Sequence, residues 1–419
     1  MLADKKYKIK QTIENYSKVI ENYFFMTSLQ IINSAFGILI YPYAIRTLGS
    51  ESYGLYVFAL AISSYFVSFI NFGFNMPGLK IISQNKDSKN IKSTVVSEIL
   101  SAKIYLSIFS TVIFIVLLFM IPFLREHKLI LSLSYLLIIN EIVFPIWYFQ
   151  GVQKMKIVTY IQLSCRLFSL PFIFIFIKSP ADCWIFTLIS VSTLIVSGVG
   201  LLWYLIRFEK LKIRITSFSK TYYYFREAMP FFWSSTVGTI KQESVTIIIG
   251  SFLGMRDVAL YDLANKLIII PRMLTTSINA ALFPKVIEDI KRETIRKIIH
   301  YEILIGFAVA GFITIFGYWL ILLLGGSDMI DAYPLAIILS FTVLVWLVVG
   351  SYISFIFVPQ NKYYYVTWNQ IVALLAFAIC CIPSVYIFHS VWSIVLSLTL
   401  SGFCEIAYCN IIIKKNKLL

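Results

Sequence analysis

The sequence predicts an all-α polytopic membrane protein, with twelve transmembrane helices in two six-helix lobes related by a parallel repeat. Three observations predict it. Long apolar runs recur along the chain, basic residues crowd into one alternating set of the links between those runs, and a segment near residue 50 reappears 205 residues later.

The 419-residue chain is 59% hydrophobic and only 14% charged, with a mean hydropathy of +0.82. Soluble domains carry about 25% charged residues, so this composition belongs to a chain whose solvent is the bilayer. Runs able to cross ~30 Å of hydrocarbon lie near 23–45, 54–78, 94–123, 129–150, 157–177 and 183–206 in the first half. In the second half they lie near 228–254, 258–284, 298–323, 333–358, 363–388 and 391–413. Pro42, Pro145, Pro171, Pro271 and Pro383 interrupt several of these runs. Membrane helices tolerate them where neighbours re-satisfy the freed carbonyls.

Charge sets the topology. Of the 36 Lys and Arg residues, 26 fall in one set of links, among them Lys5 to Lys18, Lys80 to Lys92, Lys154, Lys156, Arg207 to Arg226, Lys285 to Lys297, Lys362 and Lys414 to Lys417. The opposite set holds only Arg46, Arg125, Lys128, Lys178 and Arg256. The positive-inside rule places the first set, and both termini, in the cytoplasm. The expected organisation is a cytoplasmic tail over 1–22, an N-terminal lobe over 23–206, a cytoplasmic linker over 207–227, a C-terminal lobe over 228–413 and a short tail over 414–419. The same rule accounts for most of the +15 net charge, and no nucleic-acid-binding motif accompanies it. The basic N-terminal stretch has no small-residue cleavage site and predicts an uncleaved membrane protein.

The repeat relates Leu48–Ala59 to Leu253–Ala264 through the shared frame LGx4[GA]LYx2A. Both copies fall on an outward link leading into the second span of a half. Six spans per unit give both halves the same orientation, which makes the repeat parallel, about an axis along the membrane normal.

Polar stripes predict which faces avoid lipid. Ser64, Ser68, Asn71 and Asn75 recur at helical spacing on the second span. The repeat maps that face, extended back to Ala61, onto Lys266, Ile269, Met273, Thr276 and Ala280. Thr159, Gln162, Arg166 and Ser169 line the fifth span, and Ser234, Gly238 and Lys241 the seventh. Five cations lie inside spans: Lys103, Arg166, Lys241, Lys266 and Arg272. Each costs about 2.5–3.5 kcal/mol at mid-membrane on insertion scales, so together they predict a wet, cationic interior suited to an anionic cargo.

Ion pairing is the competing reading. Asp262 and Lys266 stand at i,i+4, the favourable order for a local pair, and Lys103 follows Glu98 by about one turn. Glu302 and Glu405 lie near cytoplasmic ends, where snorkelling is expected. Glu141 and Asp262 are the expected carboxyls for ion coupling, since a desolvated carboxyl can titrate near neutral pH. Catalysis is not expected: His127, His300 and His389 stand singly, no metal-ligand spacing occurs, and no link is long enough to house a soluble domain. The six Cys show no CxxC spacing and read as small packing residues.

Several motifs resemble a known family. Pro42-Tyr43-Ala44-Ile45-Arg46-Thr47-Leu48-Gly49, followed by Tyr53-Gly54-Leu55-Tyr56, is similar to the opening of Wzx-type polysaccharide (O-antigen) flippases. These belong to the exporter superfamily that includes the MATE multidrug transporters. Asn71-Phe72-Gly73-Phe74 resembles the family's acidic-Phe-Gly-Phe element with Asn71 in place of Asp. Trp147-Tyr148-Phe149-Gln150-Gly151, with Lys154-Met155-Lys156, resembles its aromatic-Gln-Gly segment, and Leu260 to Lys266 with Leu282-Phe283-Pro284 its eighth helix. The resemblance covers essentially the whole chain. It implies a MATE-like fold and alternating-access transport of an undecaprenyl-pyrophosphate-linked oligosaccharide across the bacterial inner membrane, with no cofactor. It also implies polysaccharide polymerase and chain-length machinery as neighbours, and bilayer lipid around the prenyl tail. The pyrophosphate would meet the five cations, and the sugars the polar stripes and Gln162. A MATE-like drug exporter and a membrane polysaccharide polymerase are the alternatives. Cationic drugs would favour an acidic cavity, and a polymerase usually carries a long periplasmic loop that this chain lacks.

Overall fold

A computed structural model gives the fold. It describes residues 2–288, 292–360, 362–416 and 418, with side chains at all of these except 2–20, 234, 270, 274–288 and 363. Ser234, Thr276, Ala280, Leu282-Phe283-Pro284, Lys285 and the lysines of the N-terminal tail therefore lie outside the described side chains.

Among the described residues every regular element is a helix. In chain order these are α1 (Leu2–Asn71), α2 (Asn75–Gln84), α3 (Lys89–Met120), α4 (Pro122–Glu126), α5 (Lys128–Tyr135), α6 (Leu137–Val143) and α7 (Ile146–Gly151). They continue as α8 (Met155–Phe176), α9 (Cys183–Arg207), α10 (Phe218–Phe252), α11 (Met255–Glu288), α12 (Arg292–Gly325), α13 (Ala332–Tyr352), α14 (Tyr363–Pro383) and α15 (Val391–Lys415). Short π-helical turns, Ile353–Phe357 and Ser384–Phe388, extend α13 and α14. Nine helical stretches among the described residues are long and apolar enough to cross a membrane. The first, Glu21–Asn71, holds 51 residues, roughly 75 Å of helix against a hydrocarbon core of ~30 Å. Gly49 breaks it with φ 74°, a left-handed conformation open to glycine. α10 and α11 carry Lys241, Lys266 and Arg272, and charged groups inside a membrane must find protein or water as partners.

The second predicted span does not run unbroken to 78. It stops at Asn71, turns through Phe72 (φ 47°) and Gly73 (φ 76°), and restarts as α2. The Asn71 side chain caps the turn by accepting from the Gly73 amide at 3.2 Å. A Cβ on Gly73 would lie 2.8 Å from Phe231 Cβ. The fourth span is likewise broken, into α5, α6 and α7, with Phe144 and Pro145 at the last break.

The chain forms two compact units: Met1–Gly37 with Ile62–Thr236, and Ile38–Ala61 with Val237–Leu419. In the first, a core gathers Phe72, Phe74, Ile82, Trp147, Tyr148 and Phe149. Phe72 stacks on Phe232 with ring centres 4.3 Å apart. The Trp147-Tyr148-Phe149 run is thus a core wedge, and the Tyr148 hydroxyl donates to Glu209 at 3.2 Å. The stretch leading out of α9 is extended and lies along α3. The amides of Lys212, Arg214 and Thr216 donate to the hydroxyls of Ser93, Ser97 and Ser101 at 3.2, 3.1 and 2.9 Å. Two extended residues advance about 6.6 Å and four helical residues about 6.0 Å, so a serine every fourth position matches an amide every second. Tyr105 closes the run by donating to Thr216 O at 2.6 Å.

In the second unit a core of Leu344, Val348, Phe355, Ile356 and Cys409 packs α13 against α12 and α15. The hairpin Ile38–Ala61 joins this unit through the two copies of the repeat. A Cβ on Gly54 would lie 1.8 Å from Met255 O, and Phe58 packs where Gly250 leaves room. Arg46 donates to Leu323 O at 2.9 Å.

Candidate functional site

Of the charges that the sequence places inside spans, most fall in the second unit. On α11, Asp262 and Lys266 form the ion pair expected from their spacing. Two tyrosines complete it. Tyr53 donates its hydroxyl to Asp262 Oδ2 at 3.0 Å, and the Lys266 ammonium sits 5.1 Å from the ring centre of Tyr41 and 5.7 Å from that of Tyr53. Aromatic faces hold a cation without neutralising it. Lys266 keeps 17% of its side-chain surface exposed and has donors to spare. The repeat explains the assembly, because Tyr53 and Asp262 belong to its two copies and Gly54 lets those copies approach backbone to backbone.

Lys241 of α10 pairs with Glu405 of α15. Glu405 also accepts from Asn369 at 3.2 Å, and Asn369 in turn accepts from Cys409 at 3.5 Å. Glu405 was expected to snorkel; it is buried instead, because Lys241 and Asn369 supply the partners that water would have supplied. Glu302, expected at the same interface, is buried as well. The Arg272 guanidinium lies over the Trp346 ring at 4.8 Å. Tyr261 stands within electrostatic range of Arg272, Glu243 and Asp262, tying the charges of α10 and α11 to one neighbourhood.

In the first unit Lys103 is sealed, with 3% of its side chain exposed. Its ammonium donates to Glu141 Oε1 at 2.6 Å and Glu141 O at 3.0 Å, and Asn71 donates to the same carboxylate oxygen at 2.8 Å. The expected partner of Lys103, Glu98, instead faces Tyr224 and Lys220. Spacing along one helix pointed to Glu98, but the break at Phe144 and Pro145 presents the Glu141 carboxylate and carbonyl together.

The stripe of the fifth span lies on α8 and meets α1. Thr159 donates to Phe25 O at 3.0 Å, Asn33 donates to Gln162 at 3.5 Å, and the Arg166 guanidinium covers the Phe36 ring at 4.8 Å. Ser64 and Ser68 are half-buried on α1, and Asn75 at the start of α2 keeps its Oδ1 buried with no hydrogen-bond partner among the described residues. Tyr41, Tyr53, Glu405, Asn369 and Trp346 were missed as site residues. Asn369 carried a signal as a polar group in an apolar run, and Tyr53 as a member of the repeat; Tyr41 and Trp346 carried none.

The described fold is that of a multi-pass membrane protein built on the architecture shared by two sets of solved structures. It matches an inward-facing multidrug resistance MATE family transporter of the MOP superfamily (TM-score 0.65, 14% identity, 93% of this chain and 95% of that one). It also matches the lipid II flippase MurJ in an inward closed conformation (TM-score 0.68, 13% identity, 94% and 87%). In sequence, the profile of the polysaccharide biosynthesis protein family matches residues 19–289. The chain belongs to that family. It is 25% identical over 268 residues to a proposed O-antigen transporter of Escherichia coli (strain K12), covering 63% of this chain and 64% of that protein. A similar match, 25% over 260 residues, 60% and 63%, links it to a proposed O-antigen transporter of Shigella dysenteriae. The match thus spans less than two thirds of the length of either relative.

Proposed function

We propose that the protein is a flippase that carries an undecaprenyl-pyrophosphate-linked oligosaccharide, an O-antigen or related repeat unit, across the bacterial inner membrane by alternating access. The reading takes twelve transmembrane helices in two six-helix lobes, 23–206 and 228–413, joined by a cytoplasmic linker, with both termini cytoplasmic. Labelling of a cysteine at Ser219 from the periplasmic side of intact cells would overturn that topology.

The observation that carries the reading is the pair of partly reachable ammonium groups in the second unit. Lys241 and Lys266 keep 18% and 17% of their side chains exposed and use one carboxylate each. Each ammonium has three donors, so a pyrophosphate can displace or share those carboxylates through charge-assisted bonds. Arg272 adds a planar fork suited to phosphate. Family membership and the relatives' names support an anionic, lipid-linked cargo, which a multidrug exporter does not require. Release of the product to polymerase and chain-length machinery follows from the same reading. Glu141 and Asp262 stay as the proposed carboxyls for ion coupling.

The test is complementation of surface polysaccharide in a strain lacking its own flippase, normalised to membrane protein abundance. Alanine at Lys241, Lys266 or Arg272 removes a contact worth about 1.5–3 kcal/mol, a loss of roughly 10- to 150-fold in affinity. Arg272→Lys recovers part of the activity and Arg272→Ala none. Full function of all three alanine variants at normal abundance would end the cationic-site reading.

A further inference from the structure

A groove of about 300 Å³ opens on the second unit between α10 and the end of α14, lined by Ser244, Ile248, Phe252, Phe377, Cys381 and Val385 among others. Apart from Ser244 its lining is apolar or weakly polar. Two features separate it from an ordinary lipid-facing surface. First, it begins about one turn along α10 from Lys241. Lys241, Ser244, Ile248 and Phe252 follow one another at spacings of three, four and four, so the ammonium and the apolar floor share one face of α10. From Lys241 to Phe252 that face runs about 16 Å, roughly half the hydrocarbon thickness. Second, the far end is shaped. Where α14 would otherwise continue as an α-helix, Ser384–Phe388 is π-helical, and Tyr386 meets Phe252 edge to face at 6.1 Å. Insertions of this kind are frequent at functional sites. Ser384 holds the distortion in place by bonding Cys380 O at 2.9 Å and Ser397 Oγ at 2.9 Å.

A cation one helical turn before an apolar groove on the same helix face is complementary to an amphiphile with an anionic head and a long apolar tail. We infer that this groove seats the first part of the polyisoprenoid tail of the lipid-linked substrate while Lys241 holds its phosphate. The inference rests on the flippase reading and adds to it a tail site on α10 and α14. Selection of the carrier lipid then falls to this groove, and selection of the sugar to the polar stripes.

The experiment uses the full-length protein in phosphatidylethanolamine and phosphatidylglycerol vesicles and a farnesyl diphosphate probe bearing a diazirine near its tail end. Labelled peptides are mapped by mass spectrometry. Labelling concentrated on 244–252 and 374–386, competed by unlabelled polyprenyl phosphate and not by added phosphatidylglycerol, is the expected result. Ala378→Trp and Ile248→Trp fill the groove from opposite walls. Excluding even two methylene groups corresponds to roughly a tenfold loss of affinity, and each variant should lower labelling by at least that much at unchanged abundance. Equal labelling by a diazirine phosphatidylglycerol, label spread over all lipid-facing helices, or undiminished labelling of both variants would overturn the groove. Binding is read without transport, so the two readings fail separately. Wild-type labelling that misses 244–252 and 374–386, with complementation intact, removes the tail site alone. Failure of the wild-type chain to complement removes the flippase reading, while its labelling still decides the groove.

Discussion

Lys103 in the first unit and Lys266 in the second are both ammonium groups in predicted spans and both pair with a carboxylate, yet their surroundings differ in kind. Lys103 is enclosed, with 3% of its side chain exposed, and bonds both the carboxylate and the backbone carbonyl of Glu141. Lys266 has one carboxylate, two ring faces and 17% exposure. The first arrangement spends its donors internally and fixes α3 against the broken fourth span. The second leaves donors for another anion. A charge in a membrane is therefore a binding group only when its partners leave it incompletely satisfied, and the identity of those partners decides which it is.

That comparison can be broken most directly at Glu141. Removing one partner of a buried pair costs about 3–5 kcal/mol, because the other charge is left uncompensated. Glu141→Ala should therefore sharply lower the detergent-solubilised melting temperature, and Lys103→Met with Glu141→Met should restore most of it. A Glu141→Ala protein as stable as wild type would show that the first unit's pair is not structural. At Asp262 the expectation is milder, since Lys266 keeps two aromatic faces and access to water.

Tyr53→Phe sharpens the second half of the comparison. It deletes the hydroxyl that donates to Asp262 while leaving the ring beside Lys266. A hydrogen bond to a charged group is worth about 1.5–3 kcal/mol. Transport should fall while abundance holds if the cluster serves the cargo, and abundance should fall first if it serves only the fold. Gly54→Ala tests whether the two repeat copies must touch. The added methyl meets Met255 O, and overpacking of this kind costs about 1–3 kcal/mol, read as a lower melting temperature. The smallest effect is expected at the serine run on α3. Ser97→Ala frees the Arg214 amide, a net loss of about 0.5–1.5 kcal/mol, measured as faster hydrogen exchange confined to 209–217. Exchange unchanged there would mean that the stretch is held by something other than the hydroxyls.

The local parts of this site were legible before any coordinates. Asp262 and Lys266 lie four residues apart on one helix, so spacing alone brings them together. The same rule failed for Lys103, since its partner lies 38 residues away across a helix break that no periodicity announces. Lys241 and Glu405 are 164 residues apart. Nothing in an apolar run with one lysine says which of the chain's acids will face it. The stripe of Thr159, Gln162 and Arg166 was read as facing a wet interior; in the fold it meets Phe25, Asn33 and Phe36 of α1, because a polar stripe does not say which groups it will face.

By itself the sequence determined the solvent of this protein, its helical class and the family its motifs resemble. Each follows from composition, from period or from short motifs, quantities that survive without long-range information. Only the tertiary structure decided the breaks at Phe72 and Pro145, the meeting of Tyr53 with Asp262, the burial of Glu405, and which cations remain open. Those depend on distant segments competing for the same few donors and acceptors in a medium where water cannot supply a substitute.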